Sequence, residues 1–588
     1  MKKALAKIAI SGTLTLMVII LIVAGIQFFS SFQAGEPSMD MMTAQSSSPS
    51  TVKGSITSSP SLSPWCETSA PSNVAPAPSP SYSGNTIGLS TGGAKDIASF
   101  RENIRNDYLP LPTDVTYEGL FYDYYFDTGI NRPCNKLFCP SYAVAVTRDP
   151  LSRQTEYYIS VGLNSGLRES DFERKQLNLV IVLDVSGSMG AYYNQYYYDN
   201  YGKRIDAYAE EGVSRRTKLD SAQDAVLTIL DKLDGADRFA IVLFDDDATL
   251  AKPMGLVSRA DMYEIEKDIL DLTPGSSTNL DAGMDMATAQ FRGLADLDSY
   301  EYENRIIILT DAQPNTSDIS STGLMRNVER NADNGIYTTF IGIGVDFNSQ
   351  LIESITKVRG ANYYAVHSPR EFRRRMEEEF DFMVTPLVFN LRLNFESRGW
   401  RIDQVIGSPE ADAATGSLMT INTLFPSKSE GGETKGGLVL LKLRRLSSES
   451  DDRIYLRVSY EDRNGYRDTA ESVVYLEGEQ PEYFENTGIR KGILLSRYAA
   501  LLKNWMIDER QHMQYSQPWD PCISETTGIV IPRENVSQWE RRSLPLRVSE
   551  PYVRIFRDFS RYFTDEMEAI GDYNLEQELD VLETLLNN

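Results

Sequence analysis

Five side chains in three separated segments carry the chemistry that matters most in this sequence. The run Asp184-Val185-Ser186-Gly187-Ser188 sets one carboxylate and two hydroxyls at alternate positions. Thr278 lies within Gly275-Ser276-Ser277-Thr278-Asn279-Leu280, and Asp311 closes Leu309-Thr310-Asp311. All five offer hard oxygen atoms. Gathered at one point, they suit Mg²⁺, Mn²⁺ or Ca²⁺ rather than a soft transition metal. Gly187 lets the first run turn tightly. Taken alone, a D-x-S-x-S run fits helix caps and loop hydrogen bonds equally well. What sets these segments apart is the kind of element that precedes each one.

Leu177 to Leu183 is a near-continuous apolar run, the pattern of a parallel strand buried on both faces. Phe239 to Phe244, Ile306 to Leu309 and Tyr337 to Val345 read the same way. Between them, Leu219, Ala222, Val226, Ile229 and Leu233 recur at helical spacing, and helices are expected over Met262 to Leu272, Leu280 to Leu294 and near 323–334. Strands alternating with helices predict a parallel sheet with helices on both faces over residues 176–385. In such a sheet, ligands bind beyond the carboxyl ends of the strands. Asp184 follows the first strand directly, Asp311 ends a later one, and Thr278 sits in a loop before a helix.

The set Asp184, Ser186, Ser188, Thr278 and Asp311, in this order and on these elements, resembles the metal-ion-dependent adhesion site of von Willebrand factor A domains. The resemblance covers roughly 176–385, and the wider layout resembles bacterial-type membrane-anchored proteins that carry this domain. It implies a doubly wound α/β fold and a resident Mg²⁺, Mn²⁺ or Ca²⁺. It also implies a protein partner that presents an Asp or Glu carboxylate to the metal. Ser186, Ser188 and Thr278 are then expected as direct ligands. Asp184 and Asp311 would act directly or through water. Neutral hydroxyls leave a cation under-neutralised, which is why an anionic ligand would complete it.

Around this domain the pattern changes. Residues 386–480 show period two: Phe389, Leu391, Leu393 and Phe395, then Ile454, Leu456, Val458 and Tyr460. This predicts an antiparallel, sandwich-like module, which the strand near 157–163 would join. Residues 96–175 read as mainly β, with Tyr and Phe dense from Tyr117 to Phe126. Residues 481–588 read as helical: Leu494, Tyr498, Leu501 and Trp505 share one spacing with Tyr552, Phe556, Phe559 and Phe563, a core stripe.

The Tyr-rich stretch after the first metal segment holds Tyr192, Tyr193, Tyr196, Tyr197 and Tyr198. It reads either as aromatic contact surface for a partner or as a polar loop without that role. Asp245-Asp246-Asp247 reads as a solvated acidic turn, and Gly342-Ile343-Gly344 as strand packing. Arg373-Arg374-Arg375 followed by Glu377-Glu378-Glu379 reads as a solvated helix face with internal charge pairing.

The chain has 588 residues, 41% hydrophobic and 24% charged, with a formal net charge of −25. That balance leaves nothing to neutralise phosphates, so nucleic acid is not an expected partner. Its two histidines and four cysteines argue against a zinc enzyme. No G-x-S-x-G, H-E-x-x-H or P-loop occurs, and no enzymatic role is expected. Lys2, Lys3 and Lys7 precede an apolar run from Ile8 to Phe29, long enough to span a bilayer. Residues 1–35 therefore read as a single-pass anchor, or as a cleaved signal, with the body outside the cytoplasm. Residues 36–95, rich in Ser and Pro, read as an extended tether. Cys134 and Cys139 are expected to pair in that compartment. Cys66 and Cys522 would pair with each other, pair between molecules or stay free. The function expected is metal-dependent protein binding or adhesion at a membrane. The alternatives are an accessory subunit of a transport or channel complex, or a hydrolase.

Overall fold

The computed structural model describes residues 86–129, 134–192, 216–294, 301–311, 323–344, 354–366, 369–409, 416–446, 453–476, 480–516, 522–523, 530–531 and 544–588. The N-terminal segment 1–35, Cys66 and most of the tether lie outside them. Among the described residues no helix is long and apolar enough to cross a membrane.

In chain order the elements are Thr86–Thr91 (β1), Gly93–Ala94 (β2), Ala98–Arg105 (α1), Tyr117–Tyr122 (α2), Tyr125–Asp127 (β3), Ser141–Arg148 (β4), Thr155–Gly162 (β5) and Asn164–Arg168 (β6). The alternating part holds Gln176–Asp184 (β7), Lys218–Leu230 (α3), Arg238–Phe244 (β8), Ala248–Leu256 (β9), Met262–Leu270 (α4), Leu280–Ala289 (α5), Tyr302–Thr310 (β10), Leu324–Asp333 (α6), Ile336–Ile343 (β11), Asn362–Val366 (β12) and Pro369–Val384 (α7). Then come Val388–Glu396 (β13), Trp400–Ile406 (β14), Leu418–Ser427 (β15), Ser429–Glu430 (β16), Glu433–Lys435 (β17), Leu438–Arg445 (β18), Arg453–Asp462 (β19), Arg467–Tyr475 (β20) and Tyr483–Phe484 (β21). The helices Thr487–Ser516 (α8), Glu550–Ile570 (α9) and Glu576–Asn587 (α10) complete the series.

The strand–helix alternation builds a seven-stranded sheet in the order β2-β12-β11-β10-β7-β8-β9. Its strands run parallel except β9, which turns back antiparallel on β8 at one edge. The unbroken apolar run of β7 has a simple cause. Leu177, Leu179, Ile181 and Leu183 point to the face covered by α3 and α7, while Val180 and Val182 point to the face covered by α5 and α6. Helix α3 starts on a capping box, in which the Thr217 hydroxyl accepts from the Asp220 N–H and the Asp220 carboxylate accepts from the Thr217 N–H.

The period-two segments form a sandwich. One sheet runs β20-β19-β13-β15-β1-β6 and the other β14-β18-β5-β4-β21, with Leu391, Leu393, Ile454, Leu456 and Val458 among the residues between them. Strands β5 and β6 precede the α/β domain and β13 follows it, so that domain is inserted into the sandwich.

Two segments differ from the sequence reading. Residues 86–94, whose Ser, Thr and Gly content matches the tether, form β1 and β2. Strand β1 pairs with both β15 and β6, and β2 adds to the edge of the seven-stranded sheet beside β12. Gly88 permits this, because a Cβ there would come within 1.9 Å of the Thr434 side chain. Within 96–175, the first part is helical. Tyr117, Phe121 and Tyr124 lie outside strands and bury against α8, α9 and α10, joined there by Phe126 of the short strand β3. Aromatic density signals a packed surface, and tertiary context decides which kind.

Candidate metal centre

Strands β7 and β10 are parallel neighbours with Leu183 opposite Leu309, so their carboxyl ends deliver Asp184 and the Thr310-Asp311 pair side by side. Asp184 is fully buried. Its Oδ1 accepts from the Ser186 N–H at 2.8 Å, and its Oδ2 accepts from the Thr310 hydroxyl at 2.6 Å. Beyond it, Gly187–Gly190 form a short turn that leaves the Ser186 and Ser188 hydroxyl oxygens 3.0 Å apart.

The third segment is stitched to this turn by backbone bonds. The Gly187 N–H donates to Ser276 O at 2.7 Å, and the Gly275 N–H donates to Val185 O at 2.5 Å. A Cβ on Gly187 would lie 2.9 Å from Ser276 O, so the close approach requires glycine here. The Asn279 N–H donates to Asp245 O, and the Asn279 side chain caps α5 by accepting from the Ala282 N–H at 3.2 Å. Thr278, held between these anchors, is buried.

Asp311 is also fully buried. Its Oδ2 accepts from the Lys218 ammonium at 3.1 Å, and its Oδ1 has no hydrogen-bond partner among the described residues. Burial pushes the Asp184 carboxyl up to about 7, and the neighbouring Asp311 charge adds to the push. The bonds from Thr310 and Ser186 oppose it.

These observations fit a divalent cation. Two adjacent carboxylates and three hydroxyl-bearing side chains share one end of the sheet, and one buried carboxylate oxygen finds no donor among the described residues. Among the described residues no group of three or more His, Cys, Asp or Glu side chains forms a cage. A cation here would therefore depend on the hydroxyls. Residues 179–313 match the family model for the von Willebrand factor type A domain.

This chain contains a von Willebrand factor type A domain.

The likeness to individual proteins is thinner. Inter-alpha-trypsin inhibitor heavy chain H2 of Mesocricetus auratus is 20% identical over 224 residues, and heavy chain H4 of Homo sapiens is 23% identical over 230. Each alignment covers 37% of this chain and 21% of the relative, so the chain spans about a fifth of the length of those proteins. A solved von Willebrand factor type A protein from Catenulispora acidiphila aligns over 64% of this chain and 82% of its own, at 14% identity and a TM-score of 0.39.

The von Willebrand factor type A domain draws on residues that the motif alone does not name. Thr310 fixes the Asp184 rotamer, Lys218 meets Asp311, and Asp245 anchors the Thr278 loop. Thr310 is legible as the hydroxyl before Asp311. Nothing local points to Lys218. Tyr192 is half-buried and bridges to Thr217 at the start of α3, while Tyr193, Tyr196, Tyr197 and Tyr198 lie outside the described residues. Cys134 and Cys139 are joined by a disulfide in the sandwich part of the molecule.

The Arg373–Glu379 stretch is not a solvated face throughout. Arg375 and Glu379 turn inward from α7. Glu379 is 3% exposed, accepts from the Tyr122 hydroxyl at 2.8 Å and pairs with Lys435 of β17. The inserted position of the domain puts that side of α7 against the sandwich, which no i, i+4 pattern reveals.

Proposed function

We propose that this protein captures other proteins at a membrane surface through a divalent cation held in its von Willebrand factor type A domain. The observation that carries this reading is the convergence of the Asp184, Thr278 and Asp311 segments at one sheet end, with a buried Asp311 oxygen that has no donor among the described residues. Ser186, Ser188 and Thr278 would hold the ion through their hydroxyls, and Asp184 and Asp311 through carboxylates, directly or across water. A bound Mg²⁺, Mn²⁺ or Ca²⁺ supplies a positive centre for an Asp or Glu carboxylate of the partner.

The protein's own residues do the rest. Thr310 and the Ser186 N–H orient Asp184, and the Gly187–Ser276 contact keeps the Thr278 loop against the first turn. The apolar run Ile8 to Phe29 and the Ser/Pro-rich segment after it support a membrane-tied, extracytoplasmic placement. A binding role suits this site better than an enzymatic one, because the sequence offers only His367 and His512 as histidine bases.

Pull-down of surface proteins by the full chain, in Mg²⁺ and in EDTA, tests the reading. Capture is expected in Mg²⁺ and lost both in EDTA and in Asp184→Ala. Capture that persists in EDTA and in that variant sinks it.

A further inference from the structure

Lys218 opens α3, is 1% exposed, and places its ammonium 3.1 Å from Asp311 Oδ2. Three features make this position costly without a purpose. A buried ammonium is expensive unless it is paired. The N-terminal end of a helix carries partial positive charge, so a cation at the first helical position is disfavoured. The capping needs of α3 are already met by Thr217 and Asp220, and the Lys218 N–H itself donates to Ala191 O. What Lys218 gains is one of the two carboxylates of the candidate metal centre.

We propose that Lys218 is a built-in counter-cation of that centre, which lowers its affinity for the divalent metal and leaves the loaded site with surplus positive charge that selects an anionic group on the partner. The proposal rests on the metal-binding reading above. Asp184 and Asp311 together bring two negative charges, which a divalent ion would cancel. With Lys218 alongside, the sum becomes one positive charge held among buried side chains. An incoming ion also meets a carboxylate already engaged on one oxygen, while the other oxygen of Asp311 has no hydrogen-bond partner among the described residues. Lys218 is thus a positioning and specificity residue. It has no metal-ligand role of its own.

Isothermal titration of the full chain with MnCl₂, after EDTA treatment, gives the test in wild type, Lys218→Met and Lys218→Gln. Both variants are expected to bind Mn²⁺ about 10–100-fold more tightly than wild type, the scale on which groups around metal ligands act. Damage to the fold alone would weaken binding, so a gain is diagnostic of the charge. The Mn²⁺-induced rise in melting temperature should be larger in both variants. If a variant is unfolded in EDTA, Mn²⁺ should fold it at concentrations below the wild-type dissociation constant. Unchanged or weaker Mn²⁺ binding in both variants, or failure of both to fold at any Mn²⁺ concentration, overturns the role of Lys218. Mn²⁺ uptake absent from wild type and from both variants rejects the metal reading beneath it.

Discussion

Glu379→Gln should weaken the fold, because Glu379 is a buried carboxylate at a seam where four segments meet. It lies on α7 of the von Willebrand factor type A domain and accepts from Tyr122 of α2. It pairs with Lys435 of β17, and its charge acts on the buried Lys95 just after β2. Burial works against the ionised form of Glu379, but Lys435 and Arg375 hold its carboxyl below the ordinary range. The amide of Gln keeps an acceptor for Tyr122 and loses the charge. Lys95, Lys435 and Arg375 would then lack that charge, while Asp123, 3.8 Å from Arg375, and Asp96 still oppose Arg375. Removing one partner of a buried pair costs roughly 3–5 kcal/mol. Lys435 keeps 16% side-chain exposure and Asp123 still opposes Arg375. The expected cost is therefore lower, about 2–4 kcal/mol. Lys95→Met should recover part of it, because removing a second seam cation relieves the surplus; a coupling of about 1–3 kcal/mol is expected for such neighbours. Urea unfolding of the four proteins of this double-mutant cycle, all in EDTA, gives the measurement. A Glu379→Gln loss under about 1 kcal/mol, or strictly additive effects with Lys95→Met, would refute the claim that charge rather than shape holds the domain against the sandwich.

Lys95 also makes a prediction about pH. Burial pushes its ammonium down to about 7, against 10.5 in the unfolded chain. Its cost to stability is then full below pH 7 and fades as pH rises toward 10.5, with a slope of at most about 1.4 kcal/mol per pH unit. Lys95→Met should flatten the stability profile over that window, and an unchanged profile in urea titrations at pH 7, 8, 9 and 10 counts against the burial argument. Gly187→Ala should weaken Mn²⁺ binding about tenfold or more, on the scale of groups that orient ligands. All five oxygen-bearing residues remain in that variant, and only the 2.9 Å approach to Ser276 O is lost. Titration with Mn²⁺ at wild-type affinity would show that the two loops are not mechanically linked.

The parts of this molecule that a reader of the sequence can find are those whose signal repeats within one element. Strand β7 announces itself because both of its faces are buried, and the oxygen donors are legible because each directly follows a recognisable strand or precedes a recognisable helix. The parts that stay hidden owe their role to a partner far along the chain. Arg375 and Glu379 look like an i, i+4 surface pair, yet their partners lie at Asp123, Tyr122 and Lys435, which arrive only when segments before and after the inserted domain pack against it. Thr86-Ile87-Gly88-Leu89-Ser90-Thr91 continues the composition of the tether, and only pairing with β15 and β6 turns it into a strand. Lys218 is the clearest case. A helix that begins Thr217-Lys218-Leu219-Asp220 reads as a capping box with a solvated lysine, because ninety-three positions separate that lysine from Asp311. Local pattern thus locates the oxygen atoms that would hold a cation. The charge those atoms carry together is fixed by the fold, through a residue whose own neighbourhood in the sequence gives no sign of it.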